Sequence, residues 1–205
     1  MKAELGPLAG RGGTAGNARP ANLYRSASGF TVTELVATAG IIATMAAMAT
    51  MVMPGALTSA RADGGSARLI SELRVAREQA ITQRRTVQVL FTAPNRLVVR
   101  RVEVPGPGTT VLSDIVLEEG MTFLLFSGVP DTPDAFGRAS ATSFGTATRM
   151  AFTSEGSFVD QNGDPVNGTV FLGRPNQPTS ARAITVFGPT ALVRNWRWNG
   201  SGWTR

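Results

Sequence analysis

The sequence lacks two residue types that carry much of protein chemistry. It contains no cysteine, which excludes disulfide bonds and thiolate metal sites. It contains no histidine either, and this removes the commonest general base and metal ligand, so histidine-dependent triads and most zinc sites are excluded. Since no other catalytic constellation stands out, we expect a protein that is not an enzyme and that needs no cofactor or metal.

Lysine is nearly absent as well. Lys2 is the one lysine among the 20 basic residues, and the formal net charge is +6. A preference for arginine can reflect genome composition, so the charge is only weak support for an anionic partner. Hydrophobic residues make up 42% of the chain and charged residues 17%, a balance that predicts a folded domain with a buried core.

One long segment has almost no charge. From Phe30 to Met53 the only ionisable side chain is Glu34. As a helix this segment would be about 36 Å long, enough to cross a hydrocarbon core of about 30 Å. A carboxylate at the centre of a membrane helix costs about 2.5–3.5 kcal/mol, and less near an end, so we expect Glu34 to have a role or a partner.

The segment before this apolar run reads as an unstructured leader. Residues 1–28 are rich in glycine, alanine and proline, and they carry four basic residues against one acid. This positive charge predicts that the N-terminus stays in the cytoplasm and that the rest is exported. A cleaved secretory signal is an alternative, with Ala60-Arg61-Ala62 as its cleavage site, but a signal core of about 7–15 apolar residues is shorter than this run.

Helical patterning continues after the apolar run. Pro54-Gly55 predicts a kink, and Gly64-Gly65 predicts an interruption of the helix. Beyond them an apolar stripe with a charged back predicts an amphipathic helix packed on a head domain. The stripe consists of Leu69, Leu73, Ala76, Ala80 and Ile81.

From Thr86 onward the hydrophobic period changes to two, which is typical of strands. Glycine and proline clusters separate the strand candidates, and no comparable helical stripe follows. A helix first and strands after it predict an α+β protein, with a long N-terminal hydrophobic and amphipathic helix followed by a head of antiparallel β-sheets. The predicted strands are 86–92, 96–104, 109–117, 121–126, 149–152, 169–172, 181–187 and 192–198.

The residues from Gly29 to Leu35, GFTVTEL, resemble the processing site of type IV pilins and type II secretion pseudopilins. The resemblance implies that a prepilin peptidase cleaves between Gly29 and Phe30 and methylates the new amine of Phe30. Glu34 would then be the fifth residue of the mature chain. The implied organisation is a leader at 1–29, a transmembrane and filament-core helix at 30–53, its amphipathic continuation at 54–85 and a β-rich head at 86–205.

Three segments after the apolar run narrow the resemblance to one subgroup of these proteins. Residues 67–81, 152–156 and 181–188 are similar to the minor pilin group that includes FimT and the pseudopilin GspH, whereas residues 105–148 read as a variable insert. This resemblance implies a structural subunit of a type II secretion pseudopilus or a type IV pilus. Its partners would be the peptidase, other pilins and the inner membrane, with the head in the periplasm.

The resemblance also implies a role for Glu34. In an assembled filament, the amine of Phe30 and the carboxylate of Glu34 from neighbouring subunits would neutralise each other, which offsets the desolvation of both charges. The simpler alternative is a carboxylate that lies at the membrane interface.

The C-terminal segment combines arginines with tryptophans. Arg194, Arg197 and Arg205 are candidates for DNA binding, because arginine and aromatic side chains bind phosphates and stack on bases. Some FimT-like proteins carry a Gly-Arg-x-Arg motif linked to DNA uptake, but Leu192 stands here where its first arginine would be. The alternative is a last strand that buries its tryptophans in the head.

The run from Asp160 to Asp164 superficially suggests a calcium loop. It fails the EF-hand pattern because Pro165 replaces the required glycine and Phe171 replaces the final glutamate. Its Asn-Gly and Asp-Pro steps predict a turn instead.

Overall fold

The computed structural model describes residues 29–117 and 120–205, with the side chains of 50–54 left aside. The predicted leader therefore lies outside the described residues, except for Gly29. Contacts divide the chain into two units, one that ends at Met45 and one that runs from Ala46 to Arg205. The head, including the second part of the long helix, belongs to the second unit.

One helix, α1, runs from Val32 to Gln83 over 52 residues and covers both predicted helical segments. The predicted interruption at Gly64-Gly65 is wrong, because the helix continues through both glycines. Tertiary packing outweighs their low helix propensity here, since Ala62 and Ser66 on either side are fully buried against the head. Helical structure also continues through Pro54, where the kink stays a prediction.

Strands follow the helix as predicted. Each of the eight predicted strands corresponds to an observed one, although the candidate at 121–126 is reduced to two residues. Three further strands of two residues each were not predicted. The strands are β1 Val87–Thr92, β2 Arg96–Val102, β3 Thr109–Val116, β4 Thr122–Phe123, β5 Thr142–Ser143, β6 Met150–Phe152, β7 Phe158–Val159, β8 Gly168–Arg174, β9 Gln177–Phe187, β10 Leu192–Trp198 and β11 Trp203–Thr204.

These strands form two sheets in which every pairing is antiparallel. Sheet A has the order β3-β2-β1-β6-β7, and sheet B has the order β11-β10-β9-β8-β4, with β5 also paired to β8. A short turn joins β1 to β2, which pair antiparallel with Thr92 opposite Arg96. The predicted α+β class with antiparallel sheets is confirmed.

A single main core joins α1 to both sheets. The apolar stripe of the helix is confirmed, since Leu69, Leu73, Ala76 and Ala80 are at most 1% exposed and belong to this core. Ile81 is half-buried. Sheet A contributes residues such as Val87 and Leu97, and sheet B contributes residues such as Leu172 and Ile184. Burial of this stripe is what holds the second part of α1 on the head.

Sheet B has a second apolar face, on the side away from this core. Along β9, Ile184 and Val186 point into the main core while Ala181 and Ala183 belong to two separate clusters with the tryptophans of β10. The segment after β4 covers that face through Leu125, Phe126 and Val129. The stretch predicted as a variable insert, 105–148, thus supplies an edge strand to each sheet, β3 and β4, and a cover for the second face.

Candidate assembly site and the arginine segment

The first part of α1 is apolar and exposed. The stretch Val32–Ala49 has a mean hydropathy of 1.7, none of it is buried, and by length and composition it can cross a membrane. Phe30, just before it, is 80% exposed. Such a surface is unfavourable in water and favourable in an apolar environment.

Thr31 and Glu34 close the N-terminus of this helix. The backbone N–H of Glu34 donates to Thr31 Oγ1 at 3.2 Å, and the backbone N–H of Thr31 donates to Glu34 Oε2 at 3.3 Å. This reciprocal arrangement is a capping box, in which two backbone donors that lack partners at a helix start are satisfied. This role was not predicted, although a threonine followed three residues later by a glutamate is its signature.

The predicted cleavage site lies outside the helix. Gly29 and Phe30 are both exposed and non-helical, and apart from the neighbouring residues no described atom lies within 4 Å of the place where a Cβ on Gly29 would be.

At the other end of the chain, the tryptophans of β10 are part of the head. Trp196 and Trp198 are 6% and 8% exposed, and Trp203 of β11 packs beside both of their clusters. The alternative for this segment, a strand that buries its tryptophans in the head, is thereby confirmed for β10, although β11 and not β10 is the last strand.

Arg194 is bound within the head. Its Nη1 forms an ion pair with Asp134, whose side chain is 9% exposed. Thr185 Oγ1 donates to Asp134 Oδ2 at 2.5 Å, and Trp196 Nε1 donates to the same oxygen at 3.2 Å. Burial raises the pKa of the Asp134 carboxyl, but the hydrogen bonds from Thr185, Trp196 and Arg194 outweigh burial, so its pKa lies below the ordinary value.

Arg205 and Arg197 also have partners within the chain. The guanidinium of Arg205 lies over the Trp196 ring, 4.8 Å from its centroid, in a cation–π contact. Arg197 Nη2 donates to Ser59 Oγ of the helix at 2.8 Å. Side chains alternate along β10, so Arg197 lies on the helix-facing side of the sheet and Arg194 on the opposite side. The structure therefore does not bring the three candidate arginines onto one surface.

Arg182 was not among the predicted site residues, yet it is the largest fully buried side chain of the described residues. Its Nε donates to Asp63 Oδ1 at 2.6 Å, and its Nη2 donates to Ser59 Oγ at 2.9 Å. Both partners lie on α1, so this arginine joins β9 to the helix. Its position two residues before Ile184, within an alternating strand, was the signal that its side chain faces inward.

The Asp160 segment forms a turn, as predicted. The backbone N–H groups of Asn162 and Asp164 donate to Asp160 Oδ1 at 2.8 and 3.1 Å. This side chain is thus committed to its own loop. Within residues 29–117 and 120–205, no group of three or more histidine, cysteine, aspartate or glutamate side chains is arranged to hold a metal ion.

Comparison with known proteins gives the family of this head. The sequence profile of the family described as type II transport protein GspH matches residues 66–190, more than half of the chain, and the match runs through the stretch that the sequence analysis set apart as an insert. Among solved structures, the minor pseudopilin EpsH from the type 2 secretion system of Vibrio cholerae matches with 14% identity and a TM-score of 0.45, over 67% of this chain and 97% of that chain. No curated protein matches the sequence. The chain therefore belongs to the GspH family of type II transport proteins and is a pseudopilin.

Proposed function

We propose that this chain is made as a precursor, cleaved by a prepilin peptidase between Gly29 and Phe30, methylated on Phe30, and assembled as a minor pseudopilin of a type II secretion system. The observation that carries the proposal is the exposed apolar segment that begins at Phe30 and leads into a head of the GspH family. The segment anchors the protein in the inner membrane, with the leader in the cytoplasm and the head in the periplasm.

The same segment then serves the filament. Its exposed side chains, among them Val36, Ile42 and Met48, need apolar neighbours in both states. Lipid supplies them before assembly, and the helices of adjacent subunits supply them afterwards. No change in the chemistry of the segment is required for this transfer.

Glu34 couples cleavage to assembly in this proposal. Cleavage creates a positive amine on Phe30, and a neighbouring subunit's Glu34 carboxylate pairs with it inside the apolar filament core. Pairing offsets the desolvation of both charges, whereas one charge alone in that core is costly. Within its own chain Glu34 also caps α1, so the two roles have to be separated by substitution.

DNA binding is left outside the proposal. Arg194 and Arg205 are engaged with Asp134 and Trp196, and Arg197 is engaged with Ser59. A salt-dependent shift of single-stranded DNA by the full chain, lost in the double variant Arg194→Ala/Arg197→Ala, would reopen that alternative.

The test is N-terminal sequencing and mass analysis of the full chain, produced with an active prepilin peptidase and, as the control, without one. We expect a mature chain that starts at Phe30 and carries an N-methyl group only when the peptidase is active. A mature chain that starts at Asp63 in both samples would instead identify a cleaved signal peptide.

Assembly into the filament is measured by cross-linking in the same cells. We expect the processed chain to cross-link to other pseudopilins in a secretion-competent strain. Correct cleavage without any such cross-link would retain the processing step of the proposal and overturn the assembly step.

A further inference from the structure

The contact between α1 and the head consists of two chemically different halves. The C-terminal half is apolar and dry, and Leu69, Leu73 and Ala80 in it have no exposed surface. The N-terminal half, residues 59–63, contributes Ala62 to the core, and its polar contacts with the head are made by Ser59 and Asp63. The two halves therefore differ in how strongly they depend on electrostatic contacts.

The polar half is held by a group that we call the clasp, made of Ser59, Asp63, Arg182 and Arg197. Arg182 binds the helix through Asp63 Oδ1 and through both the hydroxyl and the carbonyl oxygen of Ser59, the latter at 3.2 Å. Its Nη1 donates to the carbonyl oxygens of Thr179 and Ala181, at 3.2 and 3.0 Å, so every nitrogen of the guanidinium has an acceptor. Asp63 is the only carboxylate that the described contacts give to this buried charge.

Part of the clasp reaches solvent. The side chain of Asp63 is 45% exposed and that of Arg197 is 52% exposed, with 3.7 Å between Arg197 Nη1 and Asp63 Oδ2. Salt screens exposed pairs of this kind far more than it weakens a buried apolar contact. The polar half should therefore loosen at an ionic strength that leaves the apolar half unchanged.

Two glycines separate the halves. No atom lies within 4 Å of the place where a Cβ on Gly64 would be, and a Cβ on Gly65 would lie 3.4 Å from Met121 Cγ, an ordinary contact. Neither close packing nor a left-handed backbone requires glycine at position 64. Because glycine lowers helix stability relative to alanine, Gly64 and Gly65 make α1 weaker at this point than the helix on either side of it.

We propose that Gly64-Gly65 is a hinge and that the clasp is its lock: when the clasp opens, residues 55–63 separate from the head and their helical hydrogen bonds open, while residues 69–80 stay docked. Local opening of this kind needs a segment with few apolar contacts next to one with many, which is the observed arrangement. The role of this hinge rests on the proposed function: it lets the helix change direction against the head as the subunit passes from the membrane into the filament.

The experiment is hydrogen–deuterium exchange of the full chain in a neutral detergent, read by mass spectrometry over residues 56–63 and 69–80. In Asp63→Asn we expect exchange over 56–63 to rise about tenfold, because the buried guanidinium loses its carboxylate, with a change of less than about twofold over 69–80. In Gly64→Ala we expect exchange over 56–63 to fall about fivefold, because alanine stabilises the helix. Gly40→Ala, the same change in open space elsewhere on α1, is the matched control.

Three outcomes would overturn the proposal. If both segments exchange faster together in Asp63→Asn, the clasp contributes only to global stability. If Gly64→Ala changes exchange no more than Gly40→Ala does, there is no hinge at position 64. If added salt accelerates neither segment in the unaltered chain, the exposed pair does not lock the polar half. Exchange is measured without the peptidase, so these failures are distinct from a failure of processing.

Discussion

Asp134 joins a loop to three side chains of sheet B that are far from it in sequence. Its two oxygens accept hydrogen bonds from Thr185, Arg194 and Trp196, and the loop that carries it continues from the segment that covers the second apolar face of the sheet. A buried carboxylate is tolerated at this place because each bond favours its charged form. The same set of bonds keeps Trp196 in a fixed orientation on the sheet.

Asp134→Asn should lower the free energy of unfolding by about 1–3 kcal/mol at neutral pH, since Arg194 loses its ionic partner. The pKa of Asp134 is lowered by folding, so its contribution is fully present above the ordinary value of about 3.9 and is lost as the pH falls through the lower, folded-state pKa. Urea unfolding of the parent and the variant, measured from pH 7 down to pH 2, should show a difference that shrinks below about pH 4.

Asp114→Asn is the matched control, because its ion pair with Arg96 is exposed. Its effect on unfolding should be clearly smaller. A difference for Asp134→Asn that stays constant over the whole pH range would contradict an ionic role.

Glu34 is the second residue whose role a substitution can resolve. Glu34→Gln keeps a side-chain oxygen at the third helical position and so keeps the capping box, but it removes the charge. Glu34→Ala removes both the side-chain oxygen and the charge. If pairing with the amine of a neighbouring Phe30 drives assembly, both variants should be cleaved normally and both should enter the filament poorly.

The measurement is the fraction of processed chain that cross-links to other pseudopilins, normalised to the cleaved chain. Normal incorporation of Glu34→Gln together with poor incorporation of Glu34→Ala would assign the effect to helix capping. Normal incorporation of both would remove the pairing role.

At the scale of elements, one close approach fixes the end of β9 against the chain that precedes β8. A Cβ on Gly188 would lie 2.5 Å from the backbone nitrogen of Val166, and the backbone N–H of Gly188 donates to Asn167 Oδ1 at 2.8 Å. A backbone neighbour cannot swing away as a side chain can. Only glycine fits at this position without a shift of one of the two segments.

Gly188→Ala should therefore lower the free energy of unfolding by about 1–3 kcal/mol through forced backbone movement. Gly108→Ala is the matched control, because the nearest atom to its Cβ would be Glu103 Cβ at 3.9 Å, and its effect should stay within about 0.5 kcal/mol. The measurement is the free energy of unfolding of both variants, by heat or by urea. Equal effects in the two variants would show that the approach at Gly188 relaxes without cost.

The elements differ in how well local sequence predicts them. β10 was predicted with its observed bounds, Leu192–Trp198, because alternating apolar and polar residues lie between clear turns. β5, β7 and β11 were missed, since a pair of residues has no period and pairs only because a longer strand lies beside it. Gly64-Gly65 was predicted to break the helix because propensity is local, while the packing that overrides it is tertiary.

At the scale of the whole molecule, the candidate site could be predicted only where its residues are contiguous in the sequence. The apolar run and the Glu34 position are contiguous signals, so the sequence alone predicted a membrane-length helix with an acid near its start. The clasp is not contiguous, since Asp63 and Arg182 are separated by 119 residues. The partner of Arg194 was missed for the same reason, because Asp134 lies in a loop without any periodic pattern. Pairs of this kind become visible only when the fold brings them together.

The last prediction concerns which part of the chain can fold alone. The main core and the two clusters behind sheet B consist of residues between Ala62 and Trp203, whereas Val32–Ala49 is fully exposed. A chain that starts at Gly55 should therefore be soluble without detergent and should melt in one cooperative transition, since it keeps the core and the clasp. A chain that starts at Ala67 loses Ser59 and Asp63, which hold Arg182, together with the buried Ala62 and Ser66. We expect it to be less stable than the longer chain by about 1–3 kcal/mol in urea unfolding. Equal stability of the two chains would show that residues 55–66 add nothing to the stability of the head, and a gradual melt of the longer chain would show that its core depends on residues before Gly55.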